Sequence, residues 1–353
     1  MRRRLILLLG GRSTEHDASL HSYRRVVAEL LGASERFTVE AVVYLSRTGA
    51  AHAHCAPPWP TDEADLRAAP ESGLPALLDL LARRGAFVLS LLHGNEGEDG
   101  AWQGLAEVLD LHGSFGGVLP SALGMNKRLQ GLIAAALVPG MRLPDTWLAR
   151  PPDVRDRVAQ AAAALADRAA VVKPNRMGAS LLTVRLPEPT PAALLAAVED
   201  VLPYDEALIQ AYIAGRELTC GVMRDQDGTR ALPVIEARTA ADFLGHVEKH
   251  AAGRVEAILH KNDDAATRAV KEASVRLFDE LDLLGFARFD YIERDGEVFF
   301  LEVNTLPGLM EGSAFPRMLA AAGYSIADLI ELCIADAERV PRREKSLPYA
   351  IEA

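Results

Sequence analysis

Cysteine is scarce: the 353-residue chain holds only Cys55, Cys220 and Cys333, widely spaced and with no C-x-x-C pair. Such usage excludes a disulfide framework and a cysteine-rich zinc site, and it fits thiols kept reduced in the cytoplasm. His52, His54 and Cys55 lie close together, but beside Pro57, Pro58 and Pro60 in what reads as a surface loop. With no fourth ligand they make a poor metal set. Long apolar runs are missing as well. Residues 5–9, after Arg2-Arg3-Arg4, are a run of five, short of the roughly 7–15 of a secretory leader. No stretch approaches the ~20 residues that span a bilayer. Positive charge is in deficit, with 38 Lys and Arg against 49 Asp and Glu and a net charge of −11. A basic face for nucleic acid or for an anionic membrane is therefore not expected.

What is present is an ordinary globular composition, 49% hydrophobic and 25% charged. The length exceeds the roughly 250–300 residues at which single cores stop growing, so more than one domain is expected. Strand and helix patterns alternate, which argues an α/β fold. Residues 5–9 read as a buried strand entering a Gly10-Gly11 turn, followed by a helix near 19–31 and a strand at 38–45. A Pro- and acid-rich loop covers 56–75. A helix at 77–84, a buried strand at 86–92 and a helix at 102–111 complete a doubly wound, parallel sheet with its ligand loops at the carboxyl edge. The character changes near Asn126. A helix at 155–170, strands at 170–173 and 181–186 around a Gly-bearing loop, and a helix at 190–201 read as a small α+β unit. Strands at 208–211, 217–223 and 231–236, a helix at 265–283 and a hairpin of 287–293 with 297–303 follow. The expected domains are 1–125, 126–207 and 208–340, with a loosely held tail at 341–353.

The hairpin carries the clearest chemistry. Arg288, Asp290, Glu302 and Asn304 have even numbers, and side chains two apart on a strand share a face. A three-residue turn, Arg294-Asp295-Gly296 with Gly296 left-handed, would pair Glu293 with Glu297, Arg288 with Glu302 and Asp290 with Phe300. Two carboxylates and an amide oxygen on one face suit Mg²⁺; a solvated face with an ion pair is the alternative. Asn304-Thr305-Leu306-Pro307-Gly308 would expose backbone N–H groups beside it. Lysine occurs only at Lys127, Lys173, Lys249, Lys261, Lys271 and Lys345. Lys173 ends an apolar strand and enters a Gly-bearing loop, a setting for phosphate charge, or for a surface lysine lying along apolar neighbours. The turns Gly10 to His16 and His93 to Gly100 follow strands but match neither G-x-G-x-x-G nor a P-loop. Their Glu15 and Glu98 could hold an ammonium group, or Glu15 with Asp17 could simply start a helix.

Five strings then carry a resemblance: GGRSTEHDAS, LHGNEGEDGAWQG, VVKPNRMGAS, RFDYIERDGEVFFLEVNTLPG and the Ser313 that follows. In order and spacing the chain resembles the D-alanine–D-alanine ligases of the ATP-grasp superfamily over nearly its whole length. The resemblance implies three domains, with ATP between the sheets of the central and C-terminal ones, and a dimer as the common assembly. It implies that Lys127 and Lys173 meet the ATP phosphates, that Gln210, Tyr212 and Ile213 flank the adenine and that Glu217 holds the ribose. Asp290, Glu302 and Asn304 would bind two Mg²⁺ ions. Arg288 and the Gly308 amide would stabilise an oxyanion. Glu15, with His93 and Glu98 nearby, would bind the first amino acid, and Ser313 with Ala314 the second.

Three positions depart from the family pattern. Ala179 stands where the loop after Val171-Val172-Lys173-Pro174 usually has Ser. His250, after Lys249, stands where a mobile loop usually has Tyr. Ala314 stands where Leu is usual, which widens the second pocket. Neutral, His250 could take a proton from an incoming ammonium; charged, it would favour a hydroxy acid. The expected reaction is D-alanyl-D-alanine formation at the cost of ATP. A different amino- or hydroxy-acid acceptor, and a non-catalytic nucleotide or amino-acid binder, are the alternatives.

Overall fold

The structure is a computed structural model that describes residues 2–239 and 255–339. Lys249, His250 and the expected tail at 341–353 lie outside the described residues. The first part runs β1 (Arg3–Gly10), α1 (His16–Gly32), β2 (Phe37–Leu45), β3 (Ala51–His54), α2 (Glu63–Leu66), β4 (Glu71–Ser72), α3 (Leu74–Leu81), β5 (Ala86–Ser90), α4 (Ala101–Val108) and α5 (Val118–Gly124). Its sheet has the order β4-β3-β2-β1-β5, with β1 parallel to β2 and β5. Leu5 to Leu9 are all fully buried because both faces are covered. Leu5, Leu7 and Leu9 pack with Tyr23, Val26 and Val27 of α1, while Ile6 and Leu8 pack with Leu77 and Leu81 of α3 and Ala106 of α4. The expected doubly wound sheet is present, and its β1 and β5 loops share one edge.

The loop expected at 52–55 is instead strand β3, antiparallel to β2. His52 bonds the Ala69 carbonyl and His54 the Leu66 carbonyl, so these rings serve the polypeptide. Among the described residues no group of three or more His, Cys, Asp and Glu is arranged to hold a metal. The proline-rich segment hides this strand from a local reading, because the anchor is Leu66 of α2, buried well beyond β3.

The second part comprises α6 (Lys127–Leu137), β6 (Thr146–Ala149), α7 (Val154–Ala164), β7 (Ala170–Pro174), β8 (Val184–Leu186), α8 (Pro191–Val201) and β9 (Ala207–Ala211). The antiparallel sheet β6-β9-β7-β8 is backed by α7 and α8 through Val158, Ala161, Leu194 and Val198. The strand expected at 181–186 shrinks to β8 because Ala179, Ser180 and Leu182 take φ of 53, 54 and 52°. Left-handed non-glycine residues cannot continue a ladder and mark a constrained loop.

The third part comprises β10 (Arg216–Asp225), β11 (Gly228–Ala231), β12 (Ile235–Thr239), β13 (Val255–Leu259), α9 (Ala265–Glu280), β14 (Phe286–Arg294), β15 (Glu297–Asn304), α10 (Ala314–Ala321) and α11 (Ile326–Arg339). Its sheet has the order β13-β12-β10-β14-β15, with β11 also on β10. Pro233 splits the strand expected at 231–236 into β11 and β12, since proline cannot donate to a ladder. Val270, Leu277 and Phe278 of α9 fill one face against Phe289, Tyr291 and Phe300. Met318 of α10 and Ile330 of α11 enter the same core as β1 and α1, which fastens this sheet to the first one. Among the described residues no single helix is long and apolar enough to cross a membrane.

The hairpin register differs from the expected one. The turn is two residues, Asp295 and Gly296, with φ of 54 and 82°, so Arg294 rather than Glu293 pairs with Glu297. Positive φ at both central positions matches the right-handed twist of the strands. That register alone would set Asp290 against Leu301. A bulge beyond Tyr291↔Phe300 lets Asp290 pair with Glu302 and Arg288 with Asn304. The bulge therefore keeps the four polar groups on one face, although the turn is one residue shorter than expected.

Candidate active site

Three Gly-bearing turns meet at Glu15. It occupies the N-cap position of α1 with Asp17 in the first turn, as the helix-start reading expected, but its side chain makes no capping bond and is left to other partners. A Cβ on Gly94, after β5, or on Gly178, after β7, would run into Glu15 Oε2. The carboxylate thus lies where turns of the first and second parts touch. Burial and the neighbouring Glu98 raise its pKa to about 7, against the opposing pull of His93 and Lys127.

Glu98 is buried, and both its oxygens accept backbone bonds: Oε1 from Gly94 N at 2.8 Å and Oε2 from Leu306 N at 3.1 Å. It ties the β5 turn to the segment after β15. His93 Nδ1 stands 3.8 Å from Glu98 Oε1, and His93 Nε2 stands 3.1 Å from Ser22 Oγ. Ser22 Oγ also accepts from Leu309 N at 3.1 Å, next to Gly308. Ser313 begins α10 close to Gly308, and Ala314 follows it, partly buried against the core.

Across the hairpin, Asp290 stands directly opposite Glu302. Like charges in that arrangement repel, and cations offset them here. Arg288 grips Asp290 with Nε to Oδ1 at 3.0 Å and Nη2 to Oδ2 at 2.9 Å, and Thr219 Oγ1 donates to Oδ1 at 2.5 Å. Burial works against the Arg288 charge, but Asp290, Glu302 and Glu98 hold its pKa above the ordinary value. Lys127 Nζ stands 3.2 Å from Glu302 Oε2 and donates to the Met177 carbonyl at 2.7 Å. Asn304 Oδ1 accepts from Leu306 N at 3.0 Å.

Lys127 is the first residue of α6, which Asn126 caps by accepting from Leu129 N. Fully buried Asn175, one residue beyond β7, accepts Lys127 N on its carbonyl and Arg128 N on its side chain, both at 3.0 Å. Asn175 thereby sets Lys127 beside the Lys173 strand. A cavity of about 110 Å³ opens between the second and third sheets, and Lys127, Lys173, Gln210, Tyr212, Ile213 and Glu217 all line it. Because of the bulge, the consecutive residues Leu301 and Glu302 both face this cavity. Arg185 stacks on Tyr212 at 4.5 Å, and Gln210 donates to Thr146 Oγ1 at 2.9 Å.

The structure links Glu15, His93, Glu98, Lys127, Arg288, Asp290, Glu302 and Asn304 through these contacts, with Gly308 next to Leu309, and Lys127 and Glu302 line the cavity beside them. Sequence reasoning missed Ser22, Asn175 and Thr219. Asn175 sits in the motif that contains Lys173, so its signal was its neighbourhood. Ser22 and Thr219 gave none, since their partners are far away in sequence.

Comparisons with known proteins identify the family. Family models described as D-ala D-ala ligase N-terminus and D-ala D-ala ligase C-terminus match residues 4–114 and 149–335. A D-alanine–D-alanine ligase of Deinococcus radiodurans is 32% identical over 350 residues, covering 94% of this chain and 97% of the relative. One of Desulforudis audaxviator is 33% identical over 334 residues, with 94% and 97% covered. The solved D-alanine–D-alanine ligase of Bacillus anthracis complexed with ATP superposes with a TM-score of 0.70 at 26% identity, covering 98% of this chain and all of that one. A D-Ala:D-Ser ligase of Enterococcus faecalis, at 23% identity and a TM-score of 0.80 over 96% and 100% of the two chains, shares the fold. On the strength of both matched segments and of relatives alike over nearly their full length, the chain belongs to the D-alanine–D-alanine ligase family.

Proposed function

We propose that the protein joins two D-alanine molecules into D-alanyl-D-alanine with ATP, through an acyl phosphate, releasing ADP and phosphate. The observation that carries this reading is the opposition of Asp290 and Glu302 beside Lys127, at the mouth of the cavity that Lys173, Gln210, Tyr212 and Glu217 line. That is an anion-binding and cation-binding boundary next to a slot for a flat ring, as phosphoryl transfer from a nucleotide requires.

A carboxylate is a poor electrophile, so an oxygen of the first D-alanine attacks the γ-phosphorus and ADP leaves. The amine of the second D-alanine then attacks the acyl carbon, the C–O bond to phosphate breaks, and phosphate departs. Glu15 holds the ammonium of the first amino acid, since Glu98 is committed to Gly94 and Leu306. Arg288 and the Gly308 N–H face the oxygen that becomes negative as the amine attacks. Lys127 and Lys173 balance the charge of the phosphates. Ser313 and the small Ala314 receive the second amino acid.

The donor set of Asp290, Glu302 and Asn304 fits Mg²⁺, because all three offer oxygen from one face of the hairpin. When bound there, Mg²⁺ would neutralise the transferring phosphoryl group. Three units near residues 1–125, 126–207 and 208–340 are supported by one sheet in each, with one correction: β9, expected to open the third unit at 208, lies between β6 and β7 and extends the second unit to Ala211. A second reading keeps the chemistry and changes the acceptor, favoured by Ala314 beside Ser313 and by Ala179 in the left-handed loop. Incubation with ATP, Mg²⁺ and D-alanine, then with pairs of D-alanine and other amino or hydroxy acids, tests both by the mass of the product. D-Alanyl-D-alanine as the main product supports the first reading, and a mixed product the second. Bound ATP with no product from any pair would sink both.

A further inference from the structure

One buried hydroxyl joins His93 to the Leu309 amide, next to Gly308. Ser22 is fully buried on α1, two turns beyond Glu15. Its oxygen has two hydrogen-bond partners among the described residues, Leu309 N and His93 Nε2, each at 3.1 Å. A hydroxyl carries a single proton, and the Leu309 N–H can only donate. The proton of Ser22 therefore goes to His93 Nε2, because a buried donor needs an acceptor. Nε2 is then bare, and the neutral ring carries its proton on Nδ1. Nδ1 is 3.8 Å from Glu98 Oε1, beyond hydrogen-bond reach, and that oxygen already accepts from Gly94 N.

We propose that Ser22 is a positioning residue for the ligation: it fixes His93 as the Nδ1–H tautomer, ready to donate to a carboxylate oxygen of the first amino acid, and it pins the Leu309 amide so that the adjoining Gly308 N–H keeps its aim. This inference rests on the ligase reading for its functional half. One hydroxyl links the binding of the reacting carboxylate to the group that stabilises the oxyanion formed from it. Leu309 and His93 are both buried, so bulk water does not compete for either bond.

The full chain labelled with ¹⁵N-histidine tests the tautomer directly, with His93 assigned by the resonance lost in His93→Gln. In the ligand-free wild type at pH 8, the expected pattern is a protonated Nδ1 and a bare Nε2. In Ser22→Ala the ring should turn to the Nε2–H form that imidazole prefers in water. There kcat should fall by about tenfold to a hundredfold, as for a small misplacement of reacting groups, while the KM for ATP stays within about twofold. Ser22→Thr, which keeps the hydroxyl, should restore the Nδ1–H pattern and most of kcat. A wild-type ring protonated on Nε2, or a Ser22→Ala protein with wild-type tautomer and kcat, would overturn the proposal. The tautomer is read without substrate, so a wild type that makes no dipeptide overturns the ligase reading and leaves this test standing.

Discussion

The carboxylate of Glu15 fills the space that a side chain on Gly178 would need. Gly178 itself has no positive φ, so alanine is tolerable to its backbone. The clash falls on the far end of a flexible side chain, which can move away. Gly178→Ala should therefore leave the melting temperature nearly unchanged and displace Glu15. The KM for the first amino acid should rise by about tenfold or more, the worth of one charge-assisted contact. Adding Glu15→Gln should do little further harm, because both changes remove the same interaction. Steady-state kinetics of the single and double variants check this.

In its proposed role of holding the ammonium, Glu15 should also make the activity depend on pH. In the unfolded chain it ionises at about 4.5, and in the fold at about 7 because it is buried and faces Glu98. The folded protein thus holds this proton more tightly. The effect is absent below pH 4.5, where both states are protonated, and stability is lost as pH rises from there to 7. An ammonium needs the ionised form. The KM for the first amino acid should fall about tenfold per pH unit on approaching 7 from below, then level off. Glu15→Gln should abolish that dependence and gain on the order of 1–3 kcal/mol of stability at pH 8 without ligand. Initial rates from pH 5.5 to 9, with melting curves alongside, measure both.

Asp290 and Glu302 oppose each other and hold cations that Mg²⁺ would supplement. Glu302→Gln and Asp290→Asn should each raise the half-saturating Mg²⁺ concentration by about tenfold or more, a usual cost of a lost charged ligand. Asp290→Asn should also lower the melting temperature of the ligand-free protein, because half-buried Arg288 loses its bidentate partner. Glu302→Gln should cost less, since Lys127 keeps the Met177 carbonyl. Chelation should stop ADP formation and added Mg²⁺ restore it. Magnesium titrations of ADP release are the measurement.

Leu301 faces the cavity between the second and third sheets because the bulge turns it to the same side as Glu302. It packs with Ile213, Ile292 and Phe299 as an apolar wall between the sheets. Leu301→Ala removes three side-chain carbons and should raise the KM for ATP by about tenfold or more, since even one methylene in an apolar contact is worth roughly tenfold. The KM for D-alanine should stay close to the wild-type value.

Much of this was legible in the sequence where the signal is local. The apolar run from Leu5 to Leu9 announced a strand buried on both faces, and it is one. The even spacing of Arg288, Asp290, Glu302 and Asn304 announced one polar face. The pairing across that face was not legible, because a one-residue change in the turn and a compensating bulge cancel in parity and leave no mark in composition. The brevity of β8 depends on left-handed backbone at Ala179, Ser180 and Leu182, where the residue types themselves disfavour such angles. His52 and His54 read as loop residues because prolines follow, whereas the pairing of β3 with β2 is a tertiary fact. Ser22 bonds a residue 287 positions away, and no spacing rule reaches that far.

The acyl-phosphate route requires that a carboxylate oxygen of the first D-alanine leave with the phosphate. D-Alanine labelled with ¹⁸O in its carboxylate, incubated with ATP, Mg²⁺ and the protein, tests it most directly. The expected result is one ¹⁸O in each phosphate released, matched by D-alanyl-D-alanine that has lost one label. Phosphate released without label while the dipeptide forms would contradict the acyl-phosphate route, and with it the oxyanion-stabilising roles of Arg288 and Gly308.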